Sequence, residues 1–296
     1  MPVRKDAILF LLVFPVVCAG CFWPRAARPG RAEPSVPEFR AAADPYQISN
    51  TTLQINPPPP PKPGEPQPSA EDLLLKLARR TSEKEKALNT YQVRIRRKET
   101  IDDKDQPLEY ILFKYRRAPL SIHCKWLGEE ANGREILYVR GQYDNKIHIL
   151  SGKGDLLGAG RQMTFAPDSP LVRAKLRYPI TEAGFGSAAA RFVLAVEGAE
   201  RGVLSAGTLK YLGEQMRPEL PKPVIAIEHT IPSGVESGLA KGGVRYYYFD
   251  EASAMPAVVV TFDHTRHEVE YYHFDRLQAE ISLDDADFDP AKLWQK

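Results

Sequence analysis

From Tyr91 onward much of the chain alternates apolar and polar residues with the period of a β-strand. In Tyr91-Gln92-Val93-Arg94-Ile95-Arg96 every second residue is apolar, as in a strand with one buried and one wet face. Glu109 to Arg116, Ser121 to Leu127, Glu135 to Arg140 and Lys146 to Leu150 follow the same logic. They are separated by turn chemistry at Asp102-Asp103-Lys104-Asp105, Ala118-Pro119, Asn132-Gly133 and Tyr143-Asp144-Asn145. A short strand over Arg161 to Phe165 comes next, and then the period changes to that of a helix. Helices are predicted over Leu171 to Lys175 and over Ser187 to Glu200, where Ala188, Ala189, Phe192, Val193 and Val196 share one face.

Strand patterns resume at Thr208 to Leu212, Pro223 to Ile231, Val244 to Phe249, Ala257 to Asp263, Glu268 to Phe274 and Leu277 to Ile281. Their short connections favour antiparallel neighbours, because a parallel crossover needs a dozen residues or more. Ahead of the first strand, Ser69 followed by Glu71 and Asp72 marks a helix start, and Leu73, Leu74, Leu77 and Ala78 recur at helical spacing up to about Leu88. That apolar face needs a partner, and the sheet beginning at Tyr91 is the nearest one. The order predicts an α+β fold: a helix, a run of strands, a helical insertion and a second run of strands in one long curved antiparallel sheet.

The amino-terminal 68 residues read differently. Arg4 and Lys5 precede an unbroken apolar segment from Ala7 to Val17, the layout of an export signal and too short to span a bilayer. It closes on Cys18-Ala19-Gly20-Cys21, which resembles the lipobox of bacterial lipoproteins, with Cys18 where leucine is usual. The resemblance implies a signal over residues 1–20 and lipidation at Cys21, which would anchor the protein to a membrane on the periplasmic side of the cell envelope. Ordinary signal cleavage after a nearby small residue is the alternative. From Phe22 to Pro68 there are 13 prolines in 47 residues, including the run Pro57 to Pro61. Such a segment buries no core and reads as an extended tether over residues 21–68.

Residues 69–296 then form one domain. The sequence has 40 basic and 38 acidic residues for a formal charge of +2, which gives no footprint for nucleic acid. Cys124 is the single cysteine of that domain, so no disulfide forms within it. Motifs that carry catalysis or cofactors are weak. Gly184-Phe185-Gly186-Ser187-Ala188-Ala189 imitates a dinucleotide fingerprint but lacks the parallel βαβ surroundings and the later acidic residue. Asp285, Asp287 and Asp289 imitate a calcium loop, yet Pro290 replaces its glycine, and Asp289-Pro290 reads as a helix N-cap instead. His267 and His273 on one strand stand ~20 Å apart and share no metal. His123 and Cys124 point to opposite faces of a strand and make no nucleophile pair. The expectation is a non-enzyme without cofactor or metal. The basic strand residues, among them Arg94, Arg96, Lys114 and Arg116, are either a solvated outer face or a surface for anionic head groups or wall polymer.

The run Gly133-Arg134-Glu135-Ile136-Leu137-Tyr138-Val139-Arg140-Gly141, then Asn145-Lys146, Arg177-Tyr178-Pro179-Ile180-Thr181-Glu182 and Asp285-Ala286-Asp287-Phe288 resemble a bacterial exported family of unknown function, related to the LolA, LolB and RseB type proteins. The resemblance covers about Ala70 to Trp294 and implies an incomplete antiparallel barrel with helices over its concave side, enclosing an apolar cavity. In the carrier relatives such a cavity holds acyl chains. Residues expected to face it are Leu74 and Leu77 from the helix and Ile111, Phe113, Tyr115, Val258, Val260 and Phe262 from the strands. The implied partner is a hydrophobic ligand or a lipoprotein. The alternative is an RseB-like scaffold or sensor for a protein or wall polymer; neither reading specifies an oligomeric state.

Overall fold

The computed structural model describes residues 68–295 apart from 130, 156–157 and 174–175. The export signal, Cys21 and the proline-rich tether lie outside these described residues. Pro63–Lys296 form one compact unit with its own core. No helix among the described residues is long and apolar enough to cross a membrane.

Helix α1 (Ala70–Ala87) opens on a capping box: Ser69 Oγ accepts from the Asp72 amide at 3.1 Å, and the Asp72 carboxylate accepts from the Ser69 amide at 3.1 Å. Its buried stripe is Leu74, Leu77, Ala78 and Thr81. The chain then runs through β1 (Thr90–Ile101), β2 (Lys104–Asp105), β3 (Glu109–Arg116), β4 (Ser121–Trp126), β5 (Glu135–Val139), β6 (Ile147–Leu150) and β7 (Gln162–Phe165). After α2 (Pro170–Arg173) and α3 (Phe185–Glu200) come β8 (Thr208–Gln215), β9 (Val224–Ile231), β10 (Gly243–Asp250), β11 (Met255–Asp263) and β12 (Glu268–Ala279), and α4 (Pro290–Leu293) closes the chain.

All twelve strands join one antiparallel sheet, ordered β7-β6-β5-β4-β3-β1-β12-β11-β10-β9-β8 with β2 attached to β1. The chain thus meanders from the middle to one edge, crosses over through α2 and α3, and meanders back from the other edge until β12 pairs with β1. With β7 and β8 unpaired at the edges, the sheet is an incomplete barrel. Helices α1 and α3 pack on each other and on the inner face, where Phe192 sits between Tyr247 and Phe249 at ring distances of 5.4 and 4.6 Å.

Three features depart from the sequence pattern. The strands expected at Glu268 to Phe274 and Leu277 to Ile281 are one strand. Between Gln92 and Arg94 the pairing shifts, with one extra residue on β12 and Arg276 at φ +54°. This bulge breaks the alternation and so imitates a strand end. Strand β1 likewise runs five residues past the last clear alternation, through Arg97 and Glu99. Third, Val258, Val260 and Phe262 do not face the helices: they belong to a separate outer cluster with Ala226, Tyr246, Tyr248 and Tyr271. The inward residue is Val259, paired with Tyr272 and grouped with the main core. In Ala257-Val258-Val259-Val260 both parities are apolar, so alternation does not choose a face.

The C-terminal segment straps the outer face of β4 and β5, where Phe288 and Trp294 cover Leu137 and Val139. As expected, Asp289 caps α4, its carboxylate accepting from the Ala291 amide at 2.8 Å, with Pro290 in the first turn.

Candidate functional site

Along β1 the inward residues Tyr91, Val93 and Ile95 give way to Arg97 and Glu99, and the neighbouring strands change character at the same level. Cross-strand pairing sets Glu99 opposite Glu270, Glu270 opposite Thr261, Thr261 opposite Arg245 and Arg245 opposite His229. A single polar row therefore crosses five strands on the helix-covered face, and every member is buried. Buried charge is tolerated only when paired and hydrogen-bonded. Arg245 donates to Thr261 at 2.9 Å, to both oxygens of Glu236 at 2.8 Å, to Tyr178 at 3.0 Å and to Glu270 at 3.2 Å. Thr261 donates to Glu270 at 2.7 Å, and the Tyr178 hydroxyl stands 3.0 Å from the other Glu270 oxygen. Burial raises the Glu270 pKa, but Arg245, Arg191 and Arg177 outweigh it and hold the carboxyl below its usual range. Burial also raises the Tyr178 hydroxyl, with Glu270 adding to the shift, so it stays protonated.

The other end of the row is held separately, since two carboxylates facing each other across β1 and β12 repel. Glu99 accepts from the Tyr272 hydroxyl and stands 3.5 Å from Arg97. Arg97 forks onto Glu109 at 2.9 and 2.5 Å, and Arg97 and Arg134 lie on the Trp126 ring at 5.8 and 5.3 Å. The Glu99 Oε2 atom is buried and receives no hydrogen bond.

Above this junction of apolar and polar rows lies a cavity of about 50 Å³, roofed by residues 176–184 and the first turns of α3. Ile95, Ile111, Phe113, Ile136 and Phe274 form its apolar side; Arg97, Glu99, Tyr272, Arg177, Tyr178 and Arg191 line its polar end. At roughly 10–15 Å³ per water it holds a few waters and no full-length acyl chain. Gly184 makes the close roof possible: its φ is +95°, and a Cβ there would fall 2.5 Å from Phe113 Cζ. The first of the dinucleotide-like glycines thus serves the packing of α3 on the sheet.

Of the residues expected to face a ligand, Ile111 and Phe113 line this cavity. Leu74 and Leu77 are buried in the main core under α1, away from it. Tyr115 stacks on Tyr91 at 4.8 Å and borders a separate crevice with Glu85 and Arg117. The basic residues expected to offer a free surface are committed within the chain. Arg94 forks onto Asp275 at 2.7 and 2.5 Å, and Arg96 reaches it at 3.3 Å. Lys114 holds Asp287 at 2.7 Å, and Arg116 holds Asp285 at 2.8 Å and lies over the Phe288 ring. These last two fasten the C-terminal strap, and so Asp285 and Asp287 act as ion-pair partners. Cys124 lines the cavity with its thiol pushed up to about 12 by burial, the opposite of an activated nucleophile. Arg97, Glu99, Arg245, Glu270, Tyr178 and Arg191 were not expected at the site. For Arg97, Glu99, Arg245 and Glu270 the sequence signal is charge at inward parity in strands that are otherwise apolar on that side; Tyr178 lies in the crossover and Arg191 on α3, and strand parity says nothing of them.

The family model described as "Protein of unknown function (DUF1571)" matches residues 88–293, most of the chain. The chain belongs to this family. The DUF1571 region takes in the whole sheet, the crossover and the C-terminal strap as far as Leu293, and leaves out α1. A search of curated proteins gives no match. Among solved structures the chain is similar to MucB, at 12% identity and a TM-score of 0.43 over 73% of this chain and 62% of MucB, a protein also solved with MucA from Pseudomonas aeruginosa. It is similar to the Mycobacterium tuberculosis lipoprotein LppX, at 13% identity and a TM-score of 0.42 over 72% of this chain and 98% of LppX. A LolA superfamily protein from Nitrosomonas europaea matches at 8% identity and a TM-score of 0.35, over 73% of this chain and 97% of that one.

Proposed function

We propose that the protein is a non-catalytic binding protein of the cell envelope, tethered to a membrane through Cys21, that takes a hydrophobic or amphiphilic group into the cavity under residues 176–184. The observation that carries this reading is the cavity's division into an apolar side built by the sheet and a polar end built by buried charge. The roof is held by polar contacts, Tyr178 to Glu270 and Arg177 to the Gly238 carbonyl at 3.2 Å, and by Leu176, Ile180 and Ala183 packed on the main core. The polar contacts exchange for water when the roof lifts, and a chain longer than the present cavity replaces the apolar contacts of Leu176 and Ile180 as it displaces this segment. Support for a role without catalysis comes from the protonated Cys124 thiol and from His123, which faces the other way and bonds Glu135 at 2.8 Å.

The test is native mass spectrometry of the Pro63–Lys296 unit produced in a bacterial host and purified without detergent. Copurifying amphiphile, or displacement of a bound fluorescent fatty acid, is the expected result; a protein that arrives empty and binds no fluorescent fatty acid overturns the reading. A second reading, an envelope scaffold or sensor for a protein or wall polymer, draws on one observation: α1 and α3 fill most of the inner face, with Phe192 and Ala189 at 0% exposure. It is distinguished by capture from envelope extracts with a partner that binds equally well when the cavity is blocked.

A further inference from the structure

Around the cavity each arginine but one has its own acceptor. Arg97 bonds Glu109; Arg177 lies 3.9 Å from Glu270 and donates to Gly238; Arg245 bonds Glu236 and Glu270. Arg191, projecting from α3, has no ion-pair partner and no hydrogen-bond acceptor among the described residues, and lies over the Tyr178 ring at 4.2 Å. On the Tyr178 side, then, Arg177, Arg191 and Arg245 face Glu236 and Glu270 among the described residues, three cations to two anions in a partly buried region. Glu182, the remaining carboxylate of the wall, is exposed and pairs with none of them. A guanidinium offers five donors in a fork matched to an oxyanion, and an unbalanced charge at a half-dry wall is costly until one arrives.

We propose that Arg191 receives an oxyanion, and that the cavity's occupant is a single-chain amphiphile with an anionic head, a carboxylate or a phosphate. This rests on the reading of the cavity as a ligand site. The head sits on Arg191 beside Tyr178, and the chain runs along Ile95, Ile111 and Phe113, displacing the roof as it lengthens. The unsatisfied Glu99 Oε2 at the same end takes a donor from water carried in with the head. Arg97, shared between Glu99 at 3.5 Å and Glu109, offsets the Glu99 charge in part.

Isothermal titration of the Pro63–Lys296 unit with decanoate, decyl phosphate and decanol, repeated on Arg191→Gln with its fold checked by circular dichroism, tests this. At least one anionic ligand is expected to bind about tenfold or more tighter than decanol, the scale of a charge-assisted contact. In Arg191→Gln that preference disappears while decanol affinity is kept. Equal binding of the three to the unaltered protein overturns the assignment, whatever the variant does, and leaves the hydrophobic-ligand reading standing. A preference that survives Arg191→Gln places the head elsewhere and overturns it as well. If none of the three binds and the cavity holds only water, the ligand reading falls together with this one.

Discussion

Glu135 Oε2 accepts a hydrogen bond from the Trp294 indole at 2.9 Å, joining residues 159 positions apart, and the same oxygen lies 2.8 Å from His123 Nε2. The bond ties the last turn of the chain to the start of β5. Around it Trp294 packs with Leu137, Val139 and Phe288, and Lys114 and Arg116 hold the two aspartates just upstream.

The strap is accordingly part of the folded core. Trp294→Ala removes a buried indole and leaves Leu137 and Val139 facing water, at a cost of about 3 kcal/mol. In urea titration the midpoint falls while the slope stays constant. A midpoint unchanged within error would show the strap to be a loose tail.

Acid sensitivity follows from the same carboxylate. Burial raises the Glu135 pKa, but the hydrogen bonds from His123 and Trp294 outweigh it and bring it down to about 2 from an unfolded value near 4.5. A carboxyl with a lowered folded pKa stabilises fully above the unfolded pKa and loses that contribution as pH falls through the folded one. Stability on the order of 2–3 kcal/mol is therefore lost between about pH 4.5 and about pH 2. Glu135→Gln is less stable at pH 7 by a similar amount, and its stability curve meets that of the unaltered protein near pH 2. Parallel curves across that range would show that another group governs the acid limb.

The sheet was legible because its two meanders alternate cleanly and their turns carry Asn, Asp, Gly and Pro, and α1 because Ser69 and Asp72 cap it. The face of β11 was not legible, since three consecutive valines satisfy both parities. The polar row was missed for a related reason. Arg97 and Glu99 ended the apolar alternation of β1 and so looked like the end of the strand, although they hold the inward parity of Val93 and Ile95. Their partners, Arg245, Thr261 and Glu270, come from three other strands, and only register brings the four strands to one level. The outward basic residues looked free because their carboxylates, Asp275, Asp285 and Asp287, lie about 170–180 positions away.

That row is held by mutual compensation. Glu270→Ala leaves Arg177, Arg191 and Arg245 with Glu236 alone and is expected to cost about 3–5 kcal/mol. The double variant Arg245→Met with Glu270→Met removes both charges and costs less than the sum of the two single changes. A coupling of at least about 1 kcal/mol in a double-mutant cycle measured by urea denaturation is the expected outcome. Additive losses would mean that the pair is not energetically linked.

Gly184 tests the roof itself. At φ +95° an alanine is strained, and its methyl would overlap Phe113, whose ring is also the floor of the cavity. Gly184→Ala is expected to cost about 2–3 kcal/mol and to lower fatty-acid binding by shifting that ring. Gly202 is the control: its φ is +69°, but nothing lies within 4 Å of a Cβ placed there. Gly202→Ala therefore carries the backbone cost alone, about 1 kcal/mol, with binding unchanged. Equal losses of stability and no loss of binding in either variant would show that the contact between the start of α3 and Phe113 does not shape the cavity.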